Sequence, residues 1–223
     1  MPSAACKPIW KETGMLKRLM GLLSLLVLVC SISACSKPES ALPAQTTVLI
    51  LGDSLTQGVG ASSAASSYPT LLRQQTGWNI VNGGVSGNTS AQALARLPAL
   101  LQQHQPKLVI VSIGGNDFLQ RVSNSDTRAN IAQSIRLSQQ SGAQVLLVAV
   151  PELTLAAAVG HPNDHAMYTA LAKEEQVYLL EDAWSDVLAD DTLRADAVHA
   201  NDAGYQVFTK LLAQRLEQIG WLD

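Results

Sequence analysis

Residues 46–58, TTVLILGDSLTQG, combine a run of aliphatic residues with a Gly-Asp turn and the serine Ser54. The aliphatic run is typical of a strand that is buried on both faces. Two similar runs, WNIVNGG at 78–84 and KLVIVSI at 107–113, also lead directly into polar turns that contain Gly and Asn. Because the carboxyl ends of parallel strands meet at one edge of a sheet, we expect the residues that follow these strands to converge there.

Strand and helix patterns alternate along the rest of the chain. Strands are predicted at 46–52, 78–83, 107–113, 143–150 and 177–180, and helices near 65–76, at 89–103, near 126–140 and from Asn201 or Asp202 to about 218. Pro98 lies within the second predicted helix and is expected to kink or restart it. The alternation indicates βαβ units and predicts a three-layer α/β/α sandwich with a central parallel sheet of about five strands.

Composition and charge exclude some classes of function. The chain has 223 residues, of which 47% are hydrophobic, so it can bury one substantial core as a single domain. Its net charge is −3, and without the first 34 residues, which carry four basic and one acidic side chain, the net charge is −6. An acidic body with two Phe, four Tyr and four Trp offers neither a basic surface nor base-stacking platforms, so we expect no nucleic-acid partner.

The N-terminal segment has the layout of a bacterial export signal. The basic pair Lys17-Arg18 precedes an apolar run, Leu19–Ala34, that ends in small residues and is short for a membrane span. The segment ISAC at 32–35 resembles a lipobox, in which Cys35 becomes the lipidated first residue of the mature protein. The sequence therefore predicts lipid attachment at Cys35.

These features predict a signal peptide at 1–34, a tether at 35–45 and a folded domain at 46–223. The protein is expected to be exported to the bacterial cell envelope, in the periplasm or at a membrane surface, with membrane association through the N-terminal lipid. Two alternatives stay open, namely cleavage after Ser33 without lipidation and a permanent membrane span. Met15 is an alternative start to Met1, and the domain contains no cysteine for a disulfide.

Ser54 and the DAVH segment at 196–199 supply a candidate nucleophile and a candidate acid–base pair. Ser54 follows a strand end and a turn, which present its hydroxyl at the sheet edge. The three-residue separation in DAVH allows Asp196 to hold one imidazole nitrogen of His199 while the other nitrogen faces Ser54. Taken alone, GDSL is more typical of a turn, and DAVH of a polar loop before a helix.

Gly87 and Asn116 are candidates for an oxyanion hole. Gly87, in VSGN at 85–88, can offer a backbone N–H that no side chain shields, and Asn116, in GGND at 114–117, can donate from its amide. Each segment alone could be a simple turn. Four such segments in this order are hard to produce by turn chemistry, so together they predict hydrolysis by a nucleophilic serine.

The four segments resemble the sequence blocks of the SGNH superfamily of GDSL esterases and lipases, and in particular its bacterial envelope branch of thioesterases, lysophospholipases and arylesterases. The resemblance covers nearly all of the chain after the tether and implies a flavodoxin-like sandwich. It also implies a catalytic triad of Ser54, His199 and Asp196, and an oxyanion hole built from the N–H groups of Ser54 and Gly87 and the side chain of Asn116. One departure is Ala200, where the family often has proline.

The implied reaction is hydrolysis of acyl ester or thioester bonds in small esters or lipids, by a monomer without a cofactor or metal. His161 and His165 lie four residues apart, but Pro162 and polar neighbours favour an exposed loop or helix start over a metal site. Two alternatives stay open. One is a carbohydrate O-acetyl esterase of the same superfamily, and the other is a flavodoxin-like binding module without turnover.

Overall fold

In the computed structural model, which describes residues 40–152 and 162–223 besides Met1, the chain is built around a parallel sheet. Within those residues the strands are β1 Thr47–Gly52, β2 Asn79–Gly84, β3 Leu108–Ser112, β4 Gln144–Val148 and β5 Tyr178–Leu180. They lie in the order β2-β1-β3-β4-β5, and every neighbouring pair is parallel. The predicted strands are confirmed to within one or two residues at each end.

The helices of the described residues are α1 Ser54–Gln57, α2 Tyr68–Thr76, α3 Ser90–His104, α4 Gly115–Leu119, α5 Asn124–Gln140, α6 Met167–Glu174, α7 Ala183–Ala189 and α8 Asp202–Ile219. Four of them, α2, α3, α5 and α8, correspond to the predicted helices. The others have four to eight residues, too few to show a helical period in the sequence. No described helix combines the length and the apolar character that crossing a bilayer requires.

The strand order reverses direction between β1 and β3. The connection from β1 to β2 runs one way along the sheet, and the connections from β2 through β3 and β4 to β5 run the other way. Because parallel crossovers are right-handed, α2 lies on one face and α3, α5 and α6 lie on the other. The packing agrees, since α5 contacts both α3 and α6, while α8 contacts both α2 and α7. This arrangement confirms the predicted three-layer α/β/α sandwich.

The central strands and an aromatic cluster form the core. Val48–Leu51 of β1 and Leu108–Val111 of β3 have no exposed surface. Between α2, α7 and α8, the rings of Trp184 and Phe208 stack with centroids 3.6 Å apart, and Tyr68 meets Phe208 edge-on at 4.8 Å. These contacts fix the position of α8, whose first turn follows the DAVH segment.

A buried carboxylate fastens three helices at the carboxyl edge of the sheet. Asp117 in α4 accepts the backbone N–H of Ser90 at 2.7 Å and its hydroxyl at 2.5 Å, and it accepts the hydroxyl of Thr127 at 3.2 Å. These bonds join α4 to the first residue of α3 and to α5.

Helix α3 continues through Pro98, so the predicted restart at that residue is wrong.

The chain before β1 packs against the opposite edge of the sheet. The N–H of Leu42 donates to the carbonyl of Trp221 at 2.8 Å, and the indole of Trp78 donates to the carbonyl of Leu42 at 3.3 Å. The segment predicted as a tether is therefore held against the domain from Leu42 onward. The predicted signal peptide at 1–34 and Cys35 lie outside the described residues.

Candidate active site

The candidate residues meet over the point where the strand order reverses, which is where open α/β sheets bind ligands. Ser54 follows β1, Gly87 follows β2, Asn116 follows β3, and His199 precedes α8. These four residues line one cleft of about 170 Å³. The convergence expected from the sequence is therefore present in the fold.

A capped turn presents Ser54 to the cleft. Asp53 is the N-cap of α1, and its Oδ1 accepts the N–H of Leu55 at 3.1 Å. Two residues after Ser54, the hydroxyl of Thr56 shares a hydrogen bond of 2.7 Å with the hydroxyl of Tyr68 inside the core. This bond joins α1 to α2. Ser54 is thus carried by a short helix that is fixed at both its start and its buried face.

The DAVH segment brings an imidazole to the serine. The Nε2 atom of His199 lies 3.0 Å from the Oγ atom of Ser54. On the other side of the ring, Nδ1 lies 2.8 Å and 3.0 Å from the two carboxylate oxygens of Asp196. Because a carboxylate accepts the proton of Nδ1, Nε2 is left as the acceptor for the serine hydroxyl.

Backbone groups of the same segment hold the Asp196 carboxylate. Its Oδ1 accepts the N–H of Val198 at 2.8 Å and that of His199 at 2.9 Å. Partial burial raises the pKa of Asp196, but these N–H groups and the imidazole together lower it below its usual value. Asp196 is therefore kept as a carboxylate next to the ring that it orients.

Gly87 lies in a tight turn at the mouth of the cleft. The N–H of Asn88 donates to the carbonyl of Val85 at 3.1 Å and closes the turn Val85–Asn88. Gly87 is the third residue of this turn and has a φ of +79°, a conformation that favours glycine. The side chain of Gln57 in α1 accepts the N–H of Ser86 at 2.7 Å and so fixes this turn beside Ser54.

The amide of Asn116 reaches across the cleft from the end of β3. Its Nδ2 donates to the carbonyl of Asn88 at 3.0 Å and lies 3.4 Å from the Oδ2 atom of Asp53. The first contact is an ordinary hydrogen bond and the second is long. Asn116 is therefore held by the turn that contains Gly87, with one N–H only weakly engaged.

The long loop between α1 and α2 supports His199 from behind. Gly60 packs so closely that an added Cβ would overlap the carbonyl of Ala200 and lie 3.2 Å from the Cβ of His199. The carboxylate of Asp202 accepts the N–H of Ser62 at 2.7 Å and its hydroxyl at 2.5 Å, which ties the loop to the start of α8. The loop thus fixes the segment that carries the imidazole.

Sequence patterns did not identify these supporting residues, since no motif marks a contact between distant loops. Gly60 and Ser62 lie in a Gly- and Ser-rich stretch, and Asp202 was predicted only as a possible helix cap. For His165 the sequence predicts an exposed loop or a helix start, and the residue lies two positions before the first residue of α6. Its Nδ1 accepts the N–H of Met167 at 3.1 Å, and its ring stacks on Phe118. His161 lies outside the described residues.

Aliphatic side chains form the walls of the cleft. Leu55, Leu119 and Val198 line it beside the polar residues. Leu119 is 49% exposed, and Val85, the first residue of the turn that holds Gly87, is 42% exposed. The large apolar side chain of Leu119 is thus presented to solvent in the cleft that contains Ser54, where the acyl part of a substrate can contact it.

The fold and the site define a class of protein, since a serine, a histidine and an aspartate in hydrogen-bond contact are typical of serine hydrolases. The sequence profile of the GDSL-like lipase/acylhydrolase family matches residues 50–207. The chain belongs to this family and is a hydrolase of carboxylic ester bonds.

Named relatives agree with this assignment. The chain is 36% identical over 182 residues to thioesterase 1/protease 1/lysophospholipase L1 of Escherichia coli strain K12, which covers 79% of this chain and 86% of the relative. It is 30% identical over 201 residues to an arylesterase of Vibrio mimicus, which covers 87% and 96%. The crystal structure of TesA superimposes with a TM-score of 0.68 at 27% identity, over 78% of this chain and 99% of that chain.

The buried carboxyl of Asp53 predicts a pH-dependent stability. Burial raises the pKa of Asp53 to about 6, although the N–H of Leu55 and the nearby His199 lower it. A carboxyl with a raised pKa binds its proton more tightly in the folded chain, so its contribution to stability is present at low pH and is lost as pH rises through that pKa. From about pH 4 to about pH 7, the wild type should therefore lose about 2 kcal/mol of unfolding free energy relative to Asp53→Asn.

Urea unfolding of both proteins at a series of pH values measures this difference. Titrating groups that do not interact with Asp53 cancel, because the two chains share them. A difference in unfolding free energy that stays constant across this pH range would show that Asp53 titrates alike in the folded and unfolded chains.

Proposed function

We propose that this esterase acts by a two-step covalent mechanism in which Ser54 is the nucleophile and His199 is the general base and acid. Asp196 orients the imidazole and stabilises its charged form. The observation that carries the proposal is the 3.0 Å contact between Nε2 of His199 and Oγ of Ser54, with the carboxylate on the far side of the ring. A proton can move directly across a contact of this length.

In the first step, Nε2 of His199 takes the hydroxyl proton of Ser54 as Oγ attacks the acyl carbonyl carbon. A tetrahedral intermediate forms, and its oxyanion accepts hydrogen bonds from the N–H groups of Ser54 and Gly87 and from the amide of Asn116. The weakly engaged N–H of Asn116 is the one available to this oxyanion.

In the second half of this step, the imidazolium of His199 gives its proton to the leaving oxygen or sulfur. The ester or thioester bond then breaks, and the alcohol or thiol leaves an acyl group on Ser54. Water attacks this acyl-enzyme, His199 takes one of its protons, and collapse of the second tetrahedral intermediate returns that proton to Ser54 and releases the acid. All of these groups come from one chain, which supports a monomer as the active unit.

Loss of either reacting side chain should remove activity without unfolding the protein. Ser54→Ala and His199→Ala are each expected to lower kcat by at least about a thousandfold, because nucleophile and base act as a unit. His104→Ala, at the far end of α3, serves as a matched control and should keep wild-type activity. Retention of most of the esterase activity by a folded Ser54→Ala or His199→Ala variant would refute the assignment.

For the substrate, we propose acyl esters and thioesters with an apolar acyl chain, such as aryl esters, acyl thioesters and lysophospholipids. The side chains of Leu119 and Val198, which line the cleft together with Ser54, support this class, because each buried CH₂ group can contribute up to about 0.8 kcal/mol. The two relatives, which are named as a thioesterase/lysophospholipase and an arylesterase, support it as well.

A substrate panel tests this class. We expect kcat/KM for p-nitrophenyl esters to rise from acetate to octanoate, by at most about fourfold per CH₂ group. Leu119→Ser should lower the octanoate rate more than the acetate rate, since it removes an apolar contact only for the longer chain. Acyl-CoA, lysophosphatidylcholine and acetylated xylan complete the panel, and a higher rate on acetylated xylan than on any acyl ester would favour a carbohydrate O-acetyl esterase.

We propose further that the protein is exported and anchored by a lipid on Cys35. The apolar run and the ISAC segment at 32–35 support this proposal. Leu42 is held against the domain and six residues separate it from Cys35, so the seven Cα–Cα steps between Cys35 and Leu42 can span at most about 25 Å. Leu42 lies at the edge of the sheet opposite the cleft, so the anchor would leave the cleft open to the aqueous side.

Labelling in an expressing bacterium tests the anchor. The wild-type protein should incorporate radiolabelled palmitate and sediment with membranes, and Cys35→Ala should do neither. Cys30→Ala is the matched control, because Cys30 is removed with the signal peptide and its loss should leave the label in place. Unlabelled wild type, or a label that persists in Cys35→Ala, would contradict lipid attachment at this residue.

A further inference from the structure

Arg96 in α3 bridges two of the strand ends that build the cleft. Its Nη2 donates to the carbonyl of Gly52, the last residue of β1, at 2.8 Å. Its Nε donates to the side-chain oxygen of Asn88, in the turn after β2, at 3.0 Å. The guanidinium therefore joins the residue two before Ser54 to the residue directly after Gly87.

These bonds form part of a closed ring. The carbonyl of Asn88 accepts the amide of Asn116, and that amide also faces the carboxylate of Asp53, which follows Gly52 in the chain. Starting from Gly52, the ring runs through Arg96, Asn88 and Asn116 and returns through Asp53. It connects the ends of β1, β2 and β3, from which the three oxyanion donors come.

A rigid helix delivers the guanidinium. Helix α3 begins with a capping box, in which Thr89 and Gln92 exchange side-chain bonds with each other's backbone N–H. Asp117 holds the first residue of the same helix, Ser90, by two hydrogen bonds. Loss of the Arg96 side chain should therefore leave α3 in place and release the turn that carries Gly87.

The chemistry of the contact requires arginine. The guanidinium is planar and always charged, and here two of its nitrogens donate in different directions to a carbonyl and to an amide oxygen. Lysine has one nitrogen at the end of a flexible stem and cannot match this fork. Arg96 is also half-buried, which limits competition from water for these acceptors.

We propose that Arg96 is a positioning residue that holds the oxyanion donors of Gly87 and Asn116 in register with Ser54. This inference rests on the proposed catalytic role of Ser54. Arg96 touches no substrate in this proposal and acts only through the turn that it fixes. Because a misplacement of about 1 Å can cost about a hundredfold in rate, its loss should lower kcat with little change in KM.

The experiment compares Arg96→Met, which keeps the length of the side chain but removes its donors, with Arg215→Met. Arg215 is a matched control, since its Nε donates to the carbonyl of Leu179 at 2.8 Å and its Nη1 lies 3.4 Å from the amide oxygen of Gln218, away from the cleft. We expect Arg96→Met to lower kcat on p-nitrophenyl butyrate by about 10- to 100-fold, with KM within about twofold of wild type. Arg215→Met should lower the stability of the fold and leave kcat unchanged. Equal kcat values for the two variants would overturn the inference.

A double-mutant cycle separates positioning from a general structural effect. If Arg96 acts through the oxyanion hole, adding Arg96→Met to Asn116→Ala should lower kcat less than it does in the wild type. Fully multiplicative effects would overturn the proposal. Should Arg96→Met fail to fold, Arg96→Lys replaces it in both measurements, with an intermediate kcat expected and a wild-type kcat overturning the proposal.

Ser54→Ala is measured in parallel. If it keeps its activity, the proposed catalytic mechanism fails. If it is inactive while Arg96→Met matches the wild type, only the inference about Arg96 fails.

Discussion

The hydrogen bond between Nε2 of His199 and Oγ of Ser54 joins residues that lie 145 positions apart in the chain, and the proposed mechanism depends on it. It forms because β1 ends and α8 begins at the same edge of the sheet. The aromatic cluster of Trp184, Phe208 and Tyr68 holds α8 against the domain. The loop between α1 and α2 packs against His199 and keeps the imidazole close to the serine. The proposed proton transfer thus depends on the packing of the whole domain, since no local segment contains both groups.

Three aspartates at this edge have different roles because their surroundings differ. Asp196 is half exposed and bonded by N–H groups, which lowers its pKa and keeps it charged next to the imidazole. Asp53 is buried, which raises its pKa, and it caps the helix that carries Ser54. Asp117 is buried among hydroxyl and N–H donors and joins three helices. Only the first is placed to stabilise a charge that develops during the reaction.

The fold could be predicted because its signals are local. The central strands β1, β3 and β4 are runs of aliphatic residues, as at Val48–Leu51, and the alternation with helices determines the layers. Ser54, Gly87 and Asn116 also lie in short segments directly after strands, and His199 lies directly before α8, so the sheet edge brings them together. Strand direction and topology therefore predict that four residues are neighbours: Ser54, Gly87, Asn116 and His199.

The supporting contacts could not be predicted because they depend on how separate elements are oriented. Arg96 lies in an ordinary helical pattern, and only the rotation of α3 directs it to the carbonyl of Gly52. The contact of Gly60 with the carbonyl of Ala200 joins loops 140 residues apart, and nothing in either loop indicates the other. Leu42 resembles part of a linker until its bond to Trp221 is known. Such long-range contacts determine the precision of the site, whereas the motifs determine its chemistry.

The most direct measurement is the mass-spectrometric localisation of a fluorophosphonate adduct on the folded protein. If His199 activates Ser54, one adduct should form, it should map to the peptide that contains Ser54, and it should be absent from the urea-unfolded chain. An adduct on a different serine, or no adduct on the folded protein, would contradict the catalytic pairing of Ser54 and His199.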